Sequence, residues 1–436
     1  MNSILKKDSS IEYLKKSEKL GIKLGLSRMK RLLELLDNPQ SANRYIQIAG
    51  TNGKGSTLSY MESILIELDF KVGAYTSPAV DSTLEQYRIN RNRIKEEDYC
   101  RIFDLVCETS KKMEDMPTRF ELETAVAFVY FKEQKCDYVL LETGLGGELD
   151  ATNVVDTTVL SVITSVSEDH LHVIGDNIYE IAKTKAGIIK VNVPVCYIDK
   201  RNDVSQVISQ VANEKNADMY SVKPEDVDFV KLENRRLYFD FGERKNLALS
   251  MLGMCQLENA SLAVRSIEVL LSSLSVDQLN KAVREGLLCT KWQWRFEIIS
   301  ETPLVILDGA HNPDAAVCLR DSLEKLLPDY SLIYVTGMFK DKDYKKVVSI
   351  MAPLAKKVFT VPTTAVGREL SAEELADEYN AFLNNWSLAK ASADVSEAIA
   401  NTKKYFSTID DEKKALIVFG SLSFLKSFKD EWNSYE

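Results

Sequence analysis

The fold is indicated by one stretch of the sequence, Tyr45-Ile46-Gln47-Ile48-Ala49-Gly50-Thr51-Asn52-Gly53-Lys54-Gly55-Ser56-Thr57. Its apolar first half predicts a buried strand that stops at Gly50, and the apolar spacing over 58–68 predicts a helix after the glycines. Glycines let successive backbone N–H groups converge on an anion, and the N-terminus of the helix adds a favourable dipole. The stretch therefore predicts a phosphate cradle, with Lys54 reaching the outer phosphates of a nucleotide and Ser56 and Thr57 supplying hydroxyls.

The loop differs from the common P-loop pattern. That pattern has a glycine where Ile48 stands and Ser or Thr directly after the lysine, whereas Gly55 follows Lys54 here. The alternative interpretation of the stretch alone is a glycine-rich turn with an exposed lysine. The order of strand, turn and helix favours the phosphate cradle.

Composition limits the class of protein. A chain of 436 residues predicts two or three domains, and 45% hydrophobic with 28% charged residues is typical of a globular protein. The net charge of −10 argues against a binder of duplex nucleic acid. Seven scattered cysteines without a Cys-x-x-Cys pair predict a reduced, cytoplasmic protein, not a disulfide framework or a zinc site. We expect no signal peptide and no membrane helix.

Strand-length apolar runs alternate with segments of helical spacing, which predicts an α/β architecture with mostly parallel sheets. The predicted strands are 46–50, 72–76, 137–142, 157–163, 194–198, 303–307, 331–336, 356–361 and 415–420. Leu237, Phe239 and Phe241 alternate within 227–250 and predict an antiparallel hairpin. We expect an N-terminal P-loop-type ATPase domain with a parallel sheet and this small hairpin over 1–296. A smaller Rossmann-like α/β domain would follow over 297–436.

Polar residues follow several predicted strands, where open α/β sheets bind ligands. Glu142 ends one strand beside the glycine-rich segment 143–147, and a carboxylate there is a sound Mg²⁺ ligand, although a salt-bridged loop glutamate is the alternative. The chain's three histidines, His170, His172 and His311, all follow predicted strands. Imidazole can bind a metal or donate to a phosphate, but packed or surface histidines are also common, and His172 is the weaker candidate.

The segment from Lys183 to Lys190 contains Lys183, Lys185 and Lys190 around a Gly-Ile-Ile turn. Composition alone favours a solvated helix end for these lysines.

Taken together and in order, these motifs resemble those of the folylpolyglutamate synthase/dihydrofolate synthase family of the Mur ligase superfamily. The resemblance covers nearly the whole chain. The matching pieces are Gly25-Leu26-Ser27-Arg28, the Gly50–Thr57 loop, Tyr75-Thr76-Ser77-Pro78, Phe120-Glu121 with Thr124-Ala125, Glu142 to Gly147, Leu149 to Asn153, Asp169-His170, Lys185 to Lys190, Gln256 with Glu258-Asn259-Ala260, Arg295, Asp308 to Pro313, Gly337 with Asp341-Lys342-Asp343, and Gly420-Ser421.

The resemblance implies a role for each matching position. The ATP phosphates would be held by Thr51, Asn52, Gly53, Lys54, Gly55 and Ser56. Mg²⁺, as two ions, would be held by Ser77, Glu142, His170 and a carbamylated Lys185. Asn259 would meet the adenine, Arg295 the terminal phosphate, and Asp308 and His311 the nucleotide from the second domain. The pterin substrate would be contacted by Phe120, Glu121, Leu149, Asp150 and Ala151. Lys54, His170, Lys185 and Arg295 would serve catalysis.

The resemblance also implies an activity. ATP would phosphorylate a carboxylate of dihydropteroate or a reduced folate, and the amine of L-glutamate would attack the acyl phosphate, giving an amide, ADP and phosphate. The expected partners are these small molecules, without nucleic acid or membrane, and the protein is expected to be a monomer. Two alternatives stay open: another Mur-type amide ligase, such as one acting on a nucleotide-sugar, and a nucleotide-binding regulator without catalysis.

Four positions depart from the family's usual residues. Ala79 and Cys255 stand where histidine is frequent, Glu148 where a basic residue is frequent, and Trp294 where a small residue precedes the arginine. None of them is a proposed metal or phosphate ligand. They leave open whether dihydropteroate, folylpolyglutamate or both are substrates.

Overall fold

The chain divides into two compact units, which are described separately. The computed structural model describes Leu5 and residues 7–169, 173–363, 367–385, 387–410 and 413–434. The first unit comprises Met1–Val230, Phe239–Ala248 and Glu258–Thr290, and the second comprises Lys231–Tyr238, Leu249–Leu257 and Lys291–Glu436.

An eight-stranded sheet forms the centre of the first unit, in the order β4-β3-β2-β5-β1-β6-β7-β8. Its strands are β1 (Arg44–Ala49), β2 (Val72–Tyr75), β3 (Tyr87–Ile89), β4 (Asn92–Arg93), β5 (Tyr138–Glu142), β6 (Thr158–Ile163), β7 (Val195–Ile198) and β8 (Met219–Val222). The six strands from β2 to β8 in that order are parallel, and β3 and β4 join antiparallel at one edge. The five strands predicted for this part of the chain are confirmed.

Helices precede and follow these strands. They are α1 (Asp8–Glu18), α2 (Ser27–Leu35), α3 (Lys54–Ile66), α4 (Glu96–Ser110), α5 (Arg119–Gln134), α6 (Ile178–Ala186), α7 (Asn202–Glu214), α8 (Cys255–Leu270) and α9 (Val276–Cys289). Val139, Leu140 and Leu141 of β5 are all fully buried, as is typical of a parallel strand covered on both faces. Helix α5 begins with a capping box between Thr118 and Glu121, which satisfies two backbone donors at its first turn.

The predicted hairpin is confirmed and extended by a third strand. Strands β9 (Val227–Glu233), β10 (Arg236–Phe241) and β11 (Arg244–Leu249) form a sheet in the order β11-β10-β9. Only two residues connect each pair, which requires antiparallel neighbours. Asn234 and Arg235, at the first turn, have φ of 50° and 57°, as a type I′ turn requires. Strand β11 escaped prediction because its first three residues are polar.

The second unit is built on a six-stranded sheet in the order β12-β13-β17-β14-β15-β16. The strands are β12 (Glu297–Glu301), β13 (Leu304–Asp308), β14 (Ser331–Gly337), β15 (Ala355–Thr360), β16 (Ala389–Ala391) and β17 (Lys414–Gly420). The helices are α10 (Pro313–Leu326), α11 (Tyr344–Met351), α12 (Ala372–Phe382), α13 (Val395–Phe406) and α14 (Leu422–Ser434). All strands except β12 are parallel, which confirms the Rossmann-like α/β prediction. Among the described residues, no helix is both long and apolar enough to cross a membrane.

The packing of Phe128 in the core of the first unit can be tested by substitution. Its side chain is fully buried, and its ring meets Tyr45 edge-on at a centroid distance of 5.7 Å. We expect Phe128→Ala to lower the free energy of unfolding by about 3–5 kcal/mol, because it leaves a cavity. Leu105 on α4 is 47% exposed, so Leu105→Ala should cost about 0.5 kcal/mol or less. Urea denaturation would measure the free energy of unfolding of both variants. Equal decreases in the two variants would contradict the described packing.

Candidate functional site

The register of the first sheet brings four strand ends together. Strands β2, β5, β1 and β6 are parallel neighbours. The paired positions nearest the carboxyl edge are Tyr75 with Leu141, Ile48 with Glu142, and Ala49 with Ile163. Ser77, Glu142 and Gly50 therefore come from different strands to one edge of the sheet. This is where ligands bind in open α/β sheets.

The loop after β1 has two positions that only glycine can occupy. Gly50 has φ of 150°, and a Cβ there would lie 1.8 Å from Oγ1 of Thr164. Gly53 has φ of 87°, and a Cβ there would lie 2.3 Å from Oδ1 of Asn259. Any side chain would thus meet both backbone strain and a clash. Asn259, which the resemblance assigns to adenine, packs against this glycine.

Hydrogen bonds fasten the loop to the segment after β6. The Thr51 N–H donates to the Ser165 carbonyl at 2.7 Å, and the hydroxyl of Thr164 donates to the Asn52 carbonyl at 2.6 Å. The Ser167 N–H donates to Thr51 Oγ1 at 3.0 Å. The sequence assigned Thr51 to the ATP phosphates but gave no role to Thr164, Ser165 or Ser167. Their clustering directly after a predicted strand was the only available signal.

Two lysine side chains converge on the loop. Lys54 Nζ donates to the carbonyl oxygens of Gly50 and Thr51, both at 3.2 Å. Lys185 Nζ donates to the same Gly50 oxygen at 2.9 Å. Burial, together with the charge of Lys54, lowers the pKa of Lys185 to about 7, against the opposing effect of Asp169 and Asp150. A buried lysine with such a pKa is largely uncharged slightly above neutral pH.

Close glycine packing fixes the helix that carries Lys185. A Cβ on Gly147 would lie 2.5 Å from the carbonyl oxygen of Thr184 and 2.9 Å from that of Lys185. The Glu148 N–H donates to the same Thr184 oxygen at 2.8 Å. The glycine-rich loop after β5 therefore touches the last turn of α6 directly. Lys183 is exposed, as composition predicts, whereas Lys185 is 4% exposed.

The oxygen donors at this edge fit a hard divalent cation. The hydroxyls of Ser56 and Ser77 are buried without a hydrogen-bond partner, and Glu142 is 6% exposed at the end of β5. Hydroxyl and carboxylate oxygens are ligands that Mg²⁺ accepts. His170 and His172 lie outside the described residues. Within the described part of the chain, no group of three His, Cys, Asp or Glu side chains could hold a metal ion.

The Asp150 carboxylate holds the loop that follows β5 through hydrogen bonds. Its carboxylate accepts hydrogen bonds from the Leu145 N–H at 2.8 Å, the Thr152 N–H at 3.0 Å and the Thr152 hydroxyl at 2.6 Å. Burial raises its pKa, and these hydrogen bonds oppose that rise. Ala151 follows in the same turn and is 6% exposed.

The other three residues assigned to the pterin substrate differ in exposure. Glu121 is buried, and one of its carboxylate oxygens accepts from Arg28 Nε at 3.1 Å and from the Thr118 N–H at 2.7 Å. Its other carboxylate oxygen has no hydrogen-bond partner. The Phe120 ring covers Gly144, where a Cβ would lie 2.4 Å from the ring. Leu149 is 45% exposed.

In the second unit, Asp308 organises the end of β13. Its carboxylate accepts from the Phe296 N–H at 2.9 Å and the Ala310 N–H at 2.8 Å. Burial raises its pKa, while the charge of Arg295 opposes the rise.

The Arg295 side chain lies beside Gly309, directly after the end of β13. Its Nη1 donates to the Trp294 carbonyl at 2.9 Å, and a Cβ on Gly309 would lie 2.4 Å from that nitrogen. His311 Nδ1 lies 2.8 Å from the Gly309 carbonyl oxygen. Arg295, Asp308 and His311 thus form one cluster.

Trp294, which departs from the family pattern, has a defined place in this unit. It is 6% exposed, and Lys429 Nζ lies 5.1 Å from the centre of its ring. Its N–H donates to Glu297 at 3.0 Å, and its φ is 63°. The buried Trp294 ring is therefore stabilised by a cation–π interaction with Lys429.

The pKa of Lys185 predicts a pH effect on stability. Above pH 7 and below about pH 10, the unfolded chain holds a proton that folded Lys185 releases. The free energy of unfolding therefore rises with pH by up to about 1.4 kcal/mol per pH unit. We expect wild type to gain stability relative to Lys185→Met as the pH is raised from about 7 to about 9 in denaturant titrations. Lys183→Met, at an exposed position, should show no such trend, and a flat difference for Lys185→Met would contradict the lowered pKa.

Comparison with known proteins places the chain in a family. The Mur ligase middle domain matches residues 48–267, and the Mur ligase glutamate ligase domain matches residues 294–422. The dihydrofolate synthase/folylpolyglutamate synthase of Bacillus subtilis is 31% identical over 426 residues, covering 94% of this chain and 95% of that protein.

Solved structures agree over nearly the full length. The crystal structure of folylpolyglutamate synthase from Thermotoga maritima superposes with a TM-score of 0.80 at 33% identity, covering 98% of this chain and 97% of that one. A bifunctional folylpolyglutamate synthase/dihydrofolate synthase with Mn, AMPPNP and L-glutamate bound gives a TM-score of 0.81 at 29% identity, covering 97% and 98%. The chain belongs to the folylpolyglutamate synthase/dihydrofolate synthase family of Mur ligases.

Proposed function

We propose that this chain uses ATP to join L-glutamate to dihydropteroate, to folylpolyglutamate or to both, through an acyl phosphate. The observation that carries the proposal is the meeting of the Gly50–Ser56 loop, Lys54 and Lys185 at one sheet edge with the oxygen donors Ser77 and Glu142. Relatives with full-length similarity carry the names of these synthases. An ATP-dependent ligase of the Mur type is the enzyme class that this family implies.

The loop residues would hold the phosphates of ATP. Backbone N–H groups of Asn52, Gly53, Gly55 and Ser56 stand at or near the start of α3, where the helix dipole favours an anion. The Thr51 N–H donates to the Ser165 carbonyl, so Thr51 would contribute by fixing the loop in place. Lys54 would exchange its two carbonyl contacts for phosphate oxygens. Charge that develops on the transferred phosphoryl group and on the tetrahedral intermediate would then be stabilised by this fixed cation.

Ser77, Glu142, His170 and Lys185 would hold Mg²⁺, as two ions. The metal would supply charge neutralisation at the phosphates. The related structure with Mn and AMPPNP, a non-hydrolysable ATP analogue, supports a divalent metal with nucleotide. Carbamylation of Lys185 needs a neutral amine, so its burial and its pKa of about 7 support this modification.

The remaining assignments follow the same proposal. Arg295 would meet the terminal phosphate, Asn259 the adenine, and Asp308 and His311 the nucleotide, with the domain boundary near 296. Phe120 and Leu149 would offer apolar surface to the pterin ring. Glu121, Asp150 and Ala151 would shape the protein segments that contact the pterin. A monomeric state, a cytoplasmic location and the absence of nucleic-acid partners stay predictions.

One assay tests the proposal. ADP formation would be followed with L-glutamate while dihydropteroate, reduced folates and a cell-wall nucleotide-sugar peptide precursor are offered in parallel. We expect turnover with a pterin-containing acid only. Turnover with the nucleotide-sugar alone would indicate another Mur-type ligase, and nucleotide binding without any turnover would indicate a regulator.

Lys54→Ala should reduce the rate of ADP formation by about 10²–10³-fold, because it removes a fixed cation from the developing phosphoryl charge. The far-ultraviolet circular dichroism should stay unchanged. Lys183→Ala, at an exposed position on α6, is the matched control and should keep the wild-type rate. Near-normal turnover of folded Lys54→Ala at saturating ATP would remove Lys54 from the site.

Gly53→Ala should weaken nucleotide binding by about tenfold or more, because backbone strain and the clash with Asn259 each displace the loop. Gly242→Ala is the control, since Gly242 has φ of 54° but open space around it. That variant should lose some stability and keep its affinity. Titration with a fluorescent ATP analogue would measure both, and equal affinities for the two variants would contradict the described loop.

A further inference from the structure

A buried ion pair links α3 to the neighbouring sheet edge. Glu62 lies on α3 and Arg88 on β3, and their side chains are 3% and 11% exposed. Arg88 Nη2 and Nε donate to one carboxylate oxygen of Glu62 at 3.1 and 3.4 Å. The other oxygen accepts from the Arg91 N–H at 2.8 Å. The carboxylate is therefore held on both sides.

The opposite edge of the same guanidinium holds the segment after β2. Arg88 Nη1 donates to the hydroxyl of Thr76 at 3.1 Å and to the Glu85 carbonyl oxygen at 3.2 Å. The Thr76 N–H in turn donates to the Gln86 carbonyl at 3.0 Å. The guanidinium thus joins a helix on one edge to both ends of the 76–85 loop on the other.

Each of the two linked elements carries a buried hydroxyl without a hydrogen-bond partner. Ser77 directly follows Thr76, and Ser56 stands on α3 together with Glu62. The pair therefore couples the positions of the phosphate loop helix and of Ser77. A planar guanidinium suits this task, because its donors have a fixed geometry on two edges.

We propose that Glu62 and Arg88 are positioning residues that place the Ser77 hydroxyl for a divalent cation bound with the nucleotide. The inference rests on the proposed function, since it takes Ser77 as a metal ligand. Partners that orient a metal ligand typically contribute about 10–100-fold to metal affinity. A pair that served only stability would weaken nucleotide binding equally with and without the metal.

The double variant Glu62→Gln/Arg88→Met tests the coupling. It removes both charges together, so no buried charge is left unpaired, and glutamine keeps an acceptor for the Arg91 N–H. The measured quantity is the metal effect, defined as the Kd of AMPPNP without Mg²⁺ divided by its Kd with Mg²⁺, from calorimetric titration. Electron paramagnetic resonance of Mn²⁺ gives the metal affinity directly. We expect the metal effect to fall about tenfold while the metal-free Kd stays unchanged.

Two further variants complete the experiment. Arg88→Lys keeps the charge opposite Glu62 but not the two-edged geometry, and it should lower the metal effect in the same direction. Glu268→Gln/Arg244→Met removes a different ion pair, which joins β11 to α8 and whose side chains are 19% and 18% exposed; it should keep the full effect.

The outcomes separate two conclusions. A full metal effect in both Arg88 variants would overturn the positioning role. Equal weakening of AMPPNP with and without Mg²⁺ would also overturn it, because the pair would then be structural only. A wild-type protein that shows no metal effect would overturn the proposed metal site, and with it the premise of this inference.

Discussion

The site depends on the absence of a side chain at Gly50. The loop backbone can approach Thr164 only because no Cβ stands between them. At this position the Gly50 carbonyl accepts hydrogen bonds from two lysine side chains, in the loop that leads into α3. The remaining arrangement, in which Lys54 and Lys185 share one acceptor, follows from this contact between two neighbouring strand ends.

Placing two amines at one carbonyl is electrostatically costly, and the protein limits this cost by burying one of them more deeply. Burial and the charge of Lys54 act in the same direction on Lys185 and favour its neutral form. An anionic ligand at the loop would act in the opposite direction. The site therefore holds a positive charge whose size responds to what is bound there.

Much of the fold could be predicted from local sequence, since each long parallel strand is an apolar run. Five further strands escaped, because each lies at a sheet edge or is only three residues long and lacks that signal: β3, β4, β8, β12 and β16. Lys54 and Ser56 were predictable for the same local reason, as strand, glycines and helix are adjacent in the chain. Asn259 beside Gly53 was not, because about two hundred residues separate them and only tertiary packing brings them together. Lys183 and Lys185 differ in burial for the same reason.

The glycines of this site differ in whether a second substitution could relieve the clash that a side chain would cause. At Gly53 the clash is with the side chain of Asn259, so a second substitution at 259 could remove the clash, although the backbone strain at φ of 87° would remain. At Gly147 the obstacle is the main chain of Thr184 and Lys185, which every amino acid shares. No replacement at those two positions could relieve the clash. A substitution of Gly147 therefore cannot be offset by a second substitution at position 184 or 185. The contact between this loop and α6 can change only if the backbone itself moves.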